Sequence, residues 1–129
     1  MKKLLLAATA VVTLASPVLA QNTAAGGHGH ADQGPHGGRM QDVAGAHAEL
    51  LVAERTITVH LYDESGKPIP ATGYSASMLV GTGQAREVVQ LSPRADNTLA
   101  GDAKSALGRG ASMTMQIKNP KGRSGQARF

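Results

Sequence analysis

Most of the chemistry open to this chain rests on its five histidines. His28, His30 and His36 lie in a glycine-rich stretch, residues 27–38, that reads GHGHADQGPHGG. His47 and His60 follow in the first two strand-like runs. Neutral imidazole suits soft and borderline transition ions such as Cu, Zn, Ni and Co, and Cu(II) binds tightest to such donors in vitro. The expected cofactor is therefore a transition metal ion, with Cu or Zn foremost. A bound imidazole must be unprotonated, so affinity should fall as pH drops through the histidine range. The chain has no cysteine, which excludes thiolate sites, thiol catalysis and disulfides. Carboxylate, thioether and backbone are the donors that remain.

These side chains need elements to hold them. Residues 47–53 (HAELLVA) and 56–62 (TITVHLY) are rich in branched apolar residues and largely alternate, as half-buried strands do. Only Glu54 and Arg55 separate them, which predicts an antiparallel hairpin. If residues 53 and 56 face each other, Val52 meets Ile57, Leu50 meets Val59, and Ala48 meets Leu61 on one apolar face. Glu49 then meets His60, and His47 meets Tyr62, on the other. A slip of one residue would put the charged groups into the core. Directly opposed Cβ atoms lie about 4.5–5.5 Å apart, so His47, Glu49 and His60 could share one ion on the outer face. The plainer reading of Glu49 and His60 is a surface cross-strand pair worth a few tenths of a kcal/mol. The expected metal donors are His28, His30, His36, His47, Glu49 and His60.

Methionine offers a second kind of donor. Met113 and Met115 fall in the same phase as Ala111 and Ile117, so they read as core filler, as does Met78. Met40, near the histidines, is the better thioether candidate.

The ends and the composition set the frame. Met1-Lys2-Lys3, an apolar run from Leu4 to Ala15 and Val18-Leu19-Ala20 form a secretory signal peptide over residues 1–20, too short to span a bilayer. Cleavage after Ala20 would release an exported, periplasmic protein with no membrane insertion. Loss of Lys2 and Lys3 lowers the formal charge from +4 to +2 (4 − 2). The other cations are scattered and the only aromatics are Tyr62, Tyr74 and Phe129, so nucleic-acid binding is not expected. Residues 21–46 read as a flexible Gly/His-rich tail, too polar to bury a face and compositionally suited to metal.

Residues 47–129 read as one domain. Further strand candidates at 74–80, 86–91, 97–100, 111–118 and 125–129 are separated by turn signals such as Asp63-Glu64-Ser65-Gly66-Lys67-Pro68 and Asn119-Pro120-Lys121-Gly122. About seven short strands at this spacing predict an all-β fold, a β-sandwich or small barrel, with a small antiparallel β-sandwich preferred. No nucleophile elbow, phosphate loop or catalytic carboxylate pair is legible, so an enzyme is not expected.

Pro35-His36-Gly37-Gly38, His47-Ala48-Glu49-Leu50, and Tyr62-Asp63 followed by Gly66-Lys67-Pro68-Ile69 resemble a group of small periplasmic proteins found with heavy-metal efflux systems. The pattern is similar to the extra N-terminal domain of some periplasmic adaptor subunits of heavy-metal resistance-nodulation-division pumps. The resemblance spans roughly residues 35–129 and rests on short motifs. It implies a periplasmic all-β domain linked to copper, zinc, cobalt or nickel handling, with His36 and Glu49 at matching positions. The chain lacks the other domains of a full adaptor, which implies an accessory role. Two functions follow: a protein that buffers or delivers a transition metal, accessory to efflux or resistance, or a non-catalytic module docking onto an efflux-pump component with incidental histidines.

Overall fold

The computed structural model describes residues 33–129. The signal peptide, most of the tail, His28 and His30 lie outside the described residues. Eight strands follow in chain order: β1 (Arg39–Val43), β2 (Ala46–Ala53), β3 (Thr56–Tyr62), β4 (Ser75–Val80), β5 (Glu87–Pro93), β6 (Thr98–Asp102), β7 (Met113–Lys118) and β8 (Ser124–Arg128). Among the described residues the only helical element is a single 3-10 turn at Gly83–Ala85.

The all-β expectation is met, and the sheet is barrel-like rather than the preferred two-layered sandwich. The eight strands form one antiparallel ladder in the order β1-β2-β3-β6-β5-β4-β7-β8, which curls into a nearly closed barrel. The physical reason lies where β5 meets β6. These strands share only two ladder pairs, Ser92 with Ala100 and Pro93 with Leu99. Beyond them a Cβ on Gly101 would stand 2.2 Å from the Gln90 carbonyl oxygen. Only glycine lets the backbones fold over one another there, bending the sheet on itself. At the other end of the order, β1 and β8 touch but form no ladder among the described residues. A Cβ on Gly125 would lie 2.6 Å from the Ala44 nitrogen, and the Asn119 side chain donates to the Ala44 carbonyl at 3.3 Å.

The alternation seen in the sequence fills the barrel. Leu50, Ile57, Val59, Leu61, Met78, Leu99, Met113 and Met115 are all buried in one core. Met78, Met113 and Met115 are thus core filler, as their phase predicted. The β2–β3 register is also the expected one, from Ala53 opposite Thr56 to His47 opposite Tyr62.

The segment read as a tail is different. Its last part folds: β1 pairs along β2, from Arg39 opposite Leu50 to Val43 opposite Ala46. Before β1, residues 34–38 form a five-residue turn in which the Gly34 N–H donates to the Gly38 carbonyl and the Gly37 N–H to the Gly34 carbonyl. Pro35 suits the second turn position and Gly37 takes a positive φ of 78°. The same pair of backbone bonds recurs in residues 63–67 and 119–123. In those turns Asp63 and Asn119 also accept backbone N–H groups through their side chains. The quoted motifs GPHGG and DxxGK thus sit on the same kind of turn.

Candidate functional site

The first of these turns folds over the outer face of β2 and β3, and Glu49 explains why. The register puts Met40, Glu49, His60 and Thr98 in one row across β1, β2, β3 and β6. Sequence reasoning placed Glu49 on an exposed face, whereas it is fully buried. A buried carboxylate needs its oxygens satisfied, and the turn satisfies them. The His36 and Gly38 backbone N–H groups donate to Oε1 at 2.7 and 3.0 Å. The Tyr62 hydroxyl donates to Oε2 at 2.8 Å, and His36 Nδ1 lies 2.9 Å from the same oxygen. Burial raises the Glu49 pKa, but the bonds from His36, Gly38 and Tyr62 outweigh it and hold the carboxyl below its ordinary value. Glu49 is therefore ionised at neutral pH. The same surroundings, burial first and then the bond to Glu49, push the Tyr62 hydroxyl up to about 12, so it stays a donor.

Close approach makes this possible. A Cβ on Gly34 would lie 2.3 Å from the Glu49 carboxyl carbon and 2.6 Å from Met40 Sδ. One on Gly38 would lie 2.5 Å from the Leu50 carbonyl oxygen. Both glycines in GPHGG are places where the turn backbone rests directly on β2.

The geometry fixes the chemistry of His36. An ionised carboxylate only accepts hydrogen bonds, so Nδ1 carries the proton that faces Oε2 and Nε2 is the ring nitrogen turned away from Glu49. The side chain is 51% exposed. Its ring stacks on His60, with centroids 4.2 Å apart and planes 15° from parallel. His60 Nδ1 in turn lies 3.2 Å from Thr98 Oγ1. Burial, then the neighbouring His36, lower the His60 pKa, and the attraction of Glu49 does not restore it. The His60 ring can therefore be a neutral donor near pH 7.

His47 lies on the same face one row away, paired through Nδ1 with the Asp42 carboxylate opposite it on β1. The expected trio of His47, Glu49 and His60 is thus divided. Glu49 backs His36, His60 stacks on His36, and His47 faces Asp42. Among the described residues no group of three His, Asp or Glu side chains is disposed to hold an ion. The stacked pair also fits one ion poorly as it stands, because the lone pairs of near-parallel rings run side by side. One ring must turn for both to reach the same ion. Imidazole is nonetheless a fitting donor, and the Glu49–His36 pair has the carboxylate–imidazole arrangement common behind metal-bound histidines.

Sequence reasoning missed Tyr62, Thr98 and Asp42 as partners in this site. Tyr62 was legible as the residue opposite His47, at a position diagonal to Glu49. Thr98 and Asp42 depend on β3–β6 and β1–β2 pairings that no local pattern announced. Two surface concavities lie elsewhere. One of about 490 Å³ crosses the outer face near Ser77, Gln116 and Gln126, another of about 570 Å³ lies by Arg39, Val52 and Leu107, and neither is lined by histidine.

No protein-family model matches this chain, no curated protein is significantly similar to it, and no solved structure matches it.

Proposed function

We propose that this protein is an exported, periplasmic metal-binding protein that buffers or delivers a transition metal ion through its histidines. The observation that carries this reading is the buried Glu49 carboxylate behind His36 Nδ1. It sets the tautomer, aims the ring outward and leaves Nε2 as the basic nitrogen, which is how carboxylates support metal-bound imidazoles. His60, held neutral beside it, is the second donor. Two imidazoles make an incomplete set for Zn or Cu, and the remaining histidines of the chain can supply the rest. An accessory role in metal efflux agrees with the motif resemblance.

Titration of the mature protein with Zn(II) and Cu(II) near pH 7.5, followed by calorimetry and native mass spectrometry, tests this. Saturable binding tighter than about 10 μM, roughly −7 kcal/mol, is expected, weakened by His36→Ala and by His60→Ala. Absence of saturable binding in the unmodified protein would end the proposal.

A further inference from the structure

The segment between β6 and β7 straps back over the β2–β3 turn. The Ala103 N–H donates to the Arg55 carbonyl at 2.8 Å, and the Leu107 N–H to the Glu54 carbonyl at 2.7 Å. Between this strap and the starts of β1 and β7 the barrel has a mouth, the hollow of about 570 Å³. Its floor is Leu50 and Met113, both members of the buried core, with Val52 and Leu107 beside them. Pockets that take a small molecule run to about 300–1,000 Å³, and the mouths of β-barrels are among their usual places.

The rim of this apolar floor is charged. Arg39 stands opposite buried Leu50 and so takes an inward position of β1, yet it is exposed. Arg109 sits between Gly108 and Gly110, where an added Cβ would meet nothing within 4 Å. Among the described residues neither guanidinium takes part in an ion pair or a side-chain hydrogen bond. Glu54 is the one carboxylate lining the hollow, so the two arginines leave the rim a net charge of +1 (2 − 1).

We propose that this mouth binds a fatty carboxylate, with its aliphatic chain on Leu50, Val52, Leu107 and Met113 and its head held by Arg39 and Arg109. Burying the chain removes apolar surface from water on both sides. A guanidinium takes a carboxylate through two parallel N–H···O bonds, and Glu54 disfavours a doubly charged head. Anionic heads on aliphatic chains also occur on lipids at a membrane surface. Val52, 37% exposed, is the one large apolar side chain of the hollow that projects. A single side chain is too little apolar area to enter a bilayer, so the free acid is the occupant. No histidine lines the hollow, and the site does not depend on the metal function proposed above.

Dodecanoate, kept below its micelle concentration, tests this by calorimetric titration of the metal-free mature protein, with amide shifts followed by NMR. Saturable one-to-one binding is expected, with shifts at Val52, Gly108 and Gly110. Dodecanol, which has the same chain without the charge, should bind at least about tenfold more weakly, a comparison that needs no variant. Arg39→Gln/Arg109→Gln, both at exposed positions, should weaken dodecanoate binding by about tenfold or more. Lys121→Gln, at a different turn, should stay within about twofold. Absence of saturable binding, equal binding of dodecanol, or unchanged affinity in the double variant would overturn the site. Binding to phosphatidylglycerol vesicles through the same arginines, with none of free dodecanoate, would overturn it too and make the hollow a membrane contact.

Discussion

Replacing Glu49 by glutamine changes one oxygen to an amide group at nearly constant volume, which makes it the sharpest probe of the site. The carboxylate accepts from the His36 and Gly38 backbone, the Tyr62 hydroxyl and the His36 ring. A bond to a charged group contributes about 1.5–3 kcal/mol and a neutral one about 0.5–1.5. The amide oxygen can keep the two backbone donors, each weakened by about 1 kcal/mol. The amide nitrogen must then face Tyr62 and His36 as a donor. Tyr62 can rotate its proton away, but His36 can accept only by giving up its Nδ1 proton. The expected loss is about 2–4 kcal/mol in urea unfolding with an unchanged slope. Nitrogen-15 NMR should show His36 moving from the Nδ1–H to the Nε2–H tautomer. Because the proton now sits on the outward nitrogen, metal affinity should drop by about 10–100-fold. A stability change under about 0.5 kcal/mol, or an unchanged His36 tautomer, would refute the positioning role given to Glu49.

Two further outcomes follow from the same description. Stability of the metal-free protein should fall on acidification in two stages of the same sign. The folded-state pKa of His60 lies below 6.5, so the unfolded chain takes up the proton first and stability is lost as pH falls below that value. The folded-state pKa of Glu49 lies below 4.5, so its contribution, present above 4.5, is lost as pH falls through the lower folded value. Urea midpoints measured between pH 8 and 3 check this, and a stability maximum below pH 5 would contradict it. Gly101→Ala should cost about 3 kcal/mol, because its Cβ would meet a backbone oxygen. Gly108→Ala, where nothing lies within 4 Å, should stay within about 0.5 kcal/mol. Thermal unfolding of the two variants compares them directly.

The strands that alternate were legible, and those that do not were not. In β2 and β3 the apolar phase is regular enough to fix the register residue by residue, and the observed ladder agrees throughout. β1 reads Arg-Met-Gln-Asp-Val, with a single buried side chain, so nothing local marks it as a strand; its pairing with β2 makes it one. Barrel closure was hidden for a similar reason. It depends on Gly101 lying under the Gln90 carbonyl, a close approach of β5 and β6 that the alternation within neither strand marks. Glu49 was placed on the correct face but given the wrong surroundings. Its exposure was inferred from two strands, while its burial comes from a turn assigned to the tail. The signal was available in GPHGG, where a proline at the second turn position precedes a glycine at the fourth.

The strand order also bears on how the chain reaches this structure. Nearly every group that touches Glu49 or His36 belongs to residues 34–62, a continuous meander of one turn and three strands. Its joins are short loops, whereas pairing β3 with β6 closes a loop from Ile57 to Gly101. Loop-closure entropy grows with length, so the meander is the cheaper piece to assemble first and barrel closure comes later. The histidine face can thus take shape while the far strands are still unpaired. Substitutions in the turn over Glu49 should then act mainly on the folding rate, and substitutions at the β5–β6 crossing mainly on the rate of unfolding.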